Sequence, residues 1–240
     1  MRTVIVGLLV LLAISGCSSI STQSRPPSYY ANTTSSQQAT PSLFPSGSAS
    51  LTNAQISKLL NYRVKLPMHM RVAIVQLGDY GTLQSGYMFQ QNYSDDALQS
   101  VFPDFINTLR KSSRVYDASY LPGMLLPATR DIESLRSAAA RYQADLLLLY
   151  QSRCDLFNEY RLFSPNEVQA NCVIQSALID VRSGIVVFTS VSSQKLHATK
   201  TKSDINFDLT VQKARLKAIS DGLDEIATNI DRFLANAPAL

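Results

Sequence analysis

The chain has 240 residues, 45% of them hydrophobic and 17% charged, enough for one core of ordinary size and a tail. Its formal net charge of +4 is spread along the sequence, which argues against a nucleic-acid partner. With no tryptophan and 8% aromatic residues, it also lacks the usual makings of a carbohydrate-stacking site.

Residues 1–16 read as a secretory signal: Arg2 supplies a basic start, Val4 to Ile14 a short apolar run, and Ser15-Gly16 a small-residue exit before Cys17. The run is shorter than the roughly 20 residues of a spanning helix. Ile14-Ser15-Gly16-Cys17 resembles a lipobox, and the resemblance implies that Cys17 becomes an acylated N-terminus. One acyl chain binds a bilayer only marginally, whereas several attach it lastingly. In Gram-negative lipoproteins an Asp after the cysteine tends to retain the protein at the inner membrane. Ser18 therefore points to the outer membrane, with the domain facing the periplasm. Removal of Arg2 lowers the net charge to about +3.

Residues 17–50 are rich in Ser, Thr, Pro, Gln and Asn, with Arg25 the single charge, and are expected to form a disordered tether. Its mean span would be about 30 Å and its reach about 110 Å. The folded domain is expected over 51–236, with a tail at 237–240. Thr52 is a candidate N-cap for a helix to about Tyr62, with Ile56, Leu59 and Leu60 on one face. Residues 70–77 read as a buried strand and 78–93 as a Tyr- and Gln-rich loop. Ser94 can cap a helix over 95–111, which Pro103 would kink or split. A short strand at 114–119, a Pro/Gly loop at 121–127 and a helix at 131–142 follow. Three strands, about 144–156, 169–181 and 185–196, form a meander. Its second turn is the tight Asp180-Val181-Arg182-Ser183-Gly184. Leu216, Ile219, Leu223, Ile226, Ile230 and Phe233 place one long helix at about 207–235, packed on the sheet.

This order predicts a single α/β domain: a mixed sheet of about five strands with helices on its faces. Cys154 and Cys172 lie symmetrically about residue 163. An antiparallel hairpin would bring them opposite each other, so an exported chain is expected to bridge them.

Catalytic signatures do not emerge. There is no Gly-x-Ser-x-Gly, no phosphate-binding glycine loop and no Cys/His spacing for zinc, and no cofactor or metal is expected. Met68-His69-Met70 offers soft ligands for Cu(I), but such a triplet arises easily by chance. The acidic pairs Asp95-Asp96 and Asp224-Glu225 read as helix-start and solvent-face charge.

Three stretches carry a family resemblance: Arg71-Val72-Ala73-Ile74-Val75, Tyr142-Gln143-Ala144-Asp145-Leu146-Leu147-Leu148, and Leu178-Ile179-Asp180-Val181-Arg182-Ser183-Gly184-Ile185-Val186. They resemble a family of envelope domains. It includes the amino-terminal domain of the TolB translocation protein, curli-secretion lipoproteins and lipoprotein activators of penicillin-binding proteins. The resemblance spans about 70–234 and implies a protein-binding, non-enzymatic domain. The loop at 78–93 is too short for the membrane hairpin of the curli channel. The expected role is therefore an adapter or activator in envelope assembly or cell-wall synthesis. The alternatives are a self-assembling structural subunit and a ligand- or metal-binding module. Candidate contact residues are Tyr80, Tyr87 and Phe89 in the first loop and Tyr160, Arg161 and Phe163 at the first meander turn.

Overall fold

The computed structural model describes residues 30–31, 43, 51–77 and 102–239. The signal segment, Cys17, most of 18–50 and the whole of 78–101 lie outside these residues. The elements are β1 (Tyr30–Ala31), α1 (Asn53–Asn61), β2 (Met70–Gln76), α2 (Pro103–Arg110), β3 (Val115–Tyr120), α3 (Ile132–Arg141), β4 (Leu146–Glu159), β5 (Glu167–Asp180), β6 (Val186–Thr199) and α4 (Phe207–Asn236). The described part of the expected second helix begins at Pro103. A proline in the first turn gives up an N–H that has no intrahelical partner anyway.

The strands form one mixed sheet in the order β3-β2-β4-β5-β6, with β1 pairing separately on β4. β2 runs parallel to β3 and β4, and β4-β5-β6 is an antiparallel meander. The fold class is thus the mixed α/β sheet expected. Burial along the strands records which face is covered. Val72 to Val75 and Leu146 to Tyr150 are buried without a break, because helices lie on both faces there. α2 and α4 pack on one side through Phe105, Leu109, Ile219, Leu223 and Ile226. α3 packs on the other through Leu135 and Ala139 against Leu147, Leu149 and Ile179. Beyond Tyr150, β4 continues for nine residues past its pairing with β2, about 30 Å at the usual rise. There α4 covers a single face, and burial alternates.

α4 approaches the sheet closely because small residues, Ala214, Ala218 and Gly222, line its buried stripe. A Cβ on Gly222 would lie 2.4 Å from Ile174 Cδ1. Gly222→Ala is therefore expected to destabilise by about 1 kcal/mol, overpacking outweighing the gain in helix propensity. In an Ile174→Val background, which removes Cδ1 and leaves the 3.2 Å approaches of Ile174 Cγ1 and Ser192 Oγ, the same substitution should cost less. Urea titration of the four members of this cycle checks it, and equal costs in both backgrounds would refute the clash.

The ends of the domain meet. Leu66 bridges Ala239 in parallel, and its N–H donates to Pro238 O at 3.0 Å. The Arg114 guanidinium, 6% exposed, donates to Leu234 O (2.8 Å), Ala237 O (2.7 Å), Leu66 O (2.8 Å) and Pro67 O (3.0 Å). It caps the carbonyl end of α4, where the helix dipole favours a cation. The expected tail is accordingly pinned through residue 239.

α1 forms as its Thr52-Gln55 capping box directs, yet none of its residues is buried. Ile56, Leu59 and Leu60 share a face but remain solvent-exposed.

Candidate interaction surfaces

The turn between β4 and β5 is the most exposed apolar feature among the described residues. Leu162 is 94% and Phe163 101% exposed. They sit on a braced frame. Arg161 donates through Nε and Nη2 to the two carboxylate oxygens of Glu159, both at 3.0 Å, and through Nη1 to Glu167 at 2.7 Å. Its backbone N–H donates to Asn166 Oδ1 at 3.0 Å. Tyr160 is exposed at one edge, while its ring packs edge-on against Phe207 at a centroid distance of 5.3 Å. Of the three turn residues read from sequence, then, Phe163 is free in solvent and Arg161 and Tyr160 hold the frame. Leu162 escaped the sequence reading, since a single leucine in a turn has no periodicity to mark it as outward. Tyr80, Tyr87 and Phe89 lie outside the described residues, as does Cys17.

Below the turn, Cys154 and Cys172 face each other in register and are joined by a disulfide on the α4 side of the sheet. The opposite face of this arm carries no described helix. It presents cross-strand rows such as Gln151-Gln175-Val191, Arg153-Val173-Ser193 and Asp155-Asn171-Lys195. Arg153, Val173, Gln175, Val191, Ser193 and Lys195 are exposed there. β6 is an edge strand of 14 residues, and no described residue pairs with its outer side. An edge of this length presents a ladder of backbone donors and acceptors to an incoming strand.

A groove of about 590 Å³ lies between α2 and α4, lined by Asp104, Asn107, Thr108, Arg110, Lys111, Asp224 and Thr228. Burial, and then the nearby Asp104 and Asp221 carboxylates, push the Asp224 carboxyl above its ordinary pKa. Lys217 pairs with Asp221, and that bond raises its pKa. Among the described residues no three metal-ligating side chains converge. Met70 is buried in the core while Met68 points to solvent, so the methionines of Met68-His69-Met70 do not share a site.

The acidic residues of the quoted sequence motifs serve the backbone. Asp145 accepts from the Arg71 N–H at 2.9 Å and from Arg182 at 2.5 Å, tying β2, the start of β4 and the β5–β6 turn together. Asp180 accepts from the Ser183 N–H at 2.8 Å and from its hydroxyl at 2.5 Å. Gly184 closes that turn at φ +75°, where a Cβ would also strike Arg136. Asp131 caps α3, and hydrogen bonds from Ser134 and Thr129 lower its pKa to about 2. Lys213, followed by the Thr201 N–H and hydroxyl, holds Asp204 far below the usual carboxylate range.

No family model and no curated protein matches the sequence. Among solved structures, the chain is similar to a PelC dodecamer from Paraburkholderia phytofirmans at 16% identity, covering 69% of this chain and 92% of that one, with a TM-score of 0.36. A minor lipoprotein from Acinetobacter baumannii aligns at 8% identity over 73% of this chain and 98% of its own, with a TM-score of 0.33. Lipoprotein GNA1162 from Neisseria meningitidis aligns at 8% identity over 70% and 99%, with a TM-score of 0.31. At these scores the likeness decides nothing about this chain.

Proposed function

We propose that the chain is a bacterial lipoprotein of the outer membrane, anchored through acyl chains on Cys17, whose periplasmic domain binds a protein of the cell envelope. The reading is of a binding rather than a catalytic protein. Its most strongly perturbed carboxylates, Asp131 and Asp204, are engaged by backbone N–H groups and side-chain donors, as structural groups are. The observation that carries the proposal is the arm β4-β5-β6, with a polar face that no described helix covers and a 14-residue edge that no described residue pairs. Such an edge binds by strand addition: the backbone ladder supplies affinity, and alternate side chains such as Val191, Ser193 and Lys195 supply selectivity. Anchoring raises the local concentration of domain and partner, so a modest surface suffices. The envelope-assembly or cell-wall-synthesis role expected from sequence belongs to this reading.

A photo-crosslinking residue at Val191 in the full-length lipidated protein tests it in cells. The expected result is a defined adduct with one envelope protein, lost in Cys17→Ser. Adducts made only of this chain would replace the adapter by the self-assembling subunit, because an open edge pairs equally well with a second copy. No adduct at either Val191 or Ser193 would overturn both.

A further inference from the structure

We infer that the Leu162-Phe163 tip is a second membrane contact, a wedge that enters the bilayer carrying the acylated Cys17. The inference rests on the anchor proposed above, and three observations point to a bilayer rather than to another occupant.

The first is the path of the chain from the anchor. β1 pairs antiparallel with the far end of β4, Tyr30 opposite Asn158 and Ala31 opposite Phe157. Because β4 runs toward the tip, β1 runs away from it, and the chain coming from Cys17 enters β1 from the tip side. Twelve residues lie between Cys17 and Tyr30, so even fully extended this stretch reaches about 45 Å. Leu43 marks where the chain has passed on to the body of the domain, its carbonyl accepting from the Ile132 N–H at 3.0 Å. The end of the sheet that bears the tip is therefore the end at which the segment from the anchor joins the described domain.

The second is shape. The tip stands about 30 Å beyond the last residue that β4 shares with β2. The Arg161 fork and the Asn166 contact brace its backbone, so Leu162 and Phe163 project outward instead of folding back. Two adjacent large apolar side chains at the apex, with a tyrosine just behind, suit the boundary between headgroups and acyl chains.

The third is charge. Arg161 is paired with two carboxylates, Glu159 and Glu167, so this cluster behind the apex is net negative and offers anionic headgroups no attraction. The attraction of the tip to the bilayer is consequently apolar, needs no anionic lipid, and on uncharged lipid does not depend on salt.

The chain has no tryptophan, so Phe163→Trp introduces a single fluorescent reporter at the tip, and Leu162→Trp provides a second. The full-length acylated variants are reconstituted in phosphatidylcholine–phosphatidylethanolamine vesicles, and flotation reports the anchor independently. Met124→Trp, at a 91% exposed position on the turn after β3, is the control. The expected result is blue-shifted emission from the tip reporter, which brominated acyl chains quench at least about twofold more than the control reporter, unchanged by salt. Protein that floats while the tip reporter stays as iodide-accessible as the control overturns the inference and leaves the anchor standing. A concentration-dependent blue shift without vesicles also overturns it, assigning the tip to a second copy. Failure to float removes anchor and wedge together.

Discussion

Replacing Arg114 with methionine is expected to lower the stability of the domain by about 3 kcal/mol or more. Methionine keeps much of the volume but none of the donors. Leu234 O, Ala237 O, Leu66 O and Pro67 O would lose their shared guanidinium in a site that water barely reaches. The carbonyl end of a 30-residue helix would lose its cation at the same time. Arg114→Lys should recover only part of the loss, since one ammonium cannot span carbonyls on two chain segments. The measurement is the urea midpoint at constant slope. A loss below about 1 kcal/mol for the methionine variant would mean that water replaces the guanidinium without penalty.

The second large effect is expected at Cys154–Cys172. Removing the bridge with the double variant Cys154→Ala/Cys172→Ala should cost about 3 kcal/mol in the chain-entropy account of a loop this size. The loss should concentrate in the arm. Residues 151–175 are covered by α4 on one face alone, whereas the body of the sheet is covered on both, so hydrogen exchange should rise in the arm before it rises in β2. Reductant should destabilise the native protein and leave the double variant unchanged. Equal responses would refute a structural bridge, and so would alkylation of Cys154 and Cys172 without prior reduction.

Much of this architecture is legible in the sequence because its signals are local. The apolar run of β4, the alternation of β5, the tight turn at Ser183-Gly184 and the stripe of α4 each announce an element within a few residues. The cysteine pairing is legible for a related reason: a hairpin's symmetry fixes which residues face each other. The parts that sequence hides are those set by a partner far along the chain. The apolar face of α1 has helical periodicity, but periodicity does not say whether anything covers it, and Ile56 and Leu60 stand in solvent. β1 is two residues whose strand character comes from Asn158 and Phe157, not from their own pattern. Arg114 looks like a surface charge at the start of a strand until the carbonyls of α4 and of Leu66 arrive from the two ends of the domain. At the candidate surfaces, Phe163 was legible as an exposed aromatic in a polar turn. The edge of β6, which no described residue pairs, was not, because sheet order depends on which strands insert beside β4.

The juncture of Leu66 with Ala239 also has a mechanical meaning. Tension applied between Lys65 and the chain after residue 239 would pull two parallel neighbours in opposite directions along their shared axis. The six-stranded sheet lies outside that line of force. The resisting elements are one backbone bridge and the fork of Arg114, which grips both segments at once. Under strain the domain would therefore yield at this clasp first, while the disulfide-closed arm, remote from the line of pull, keeps its shape.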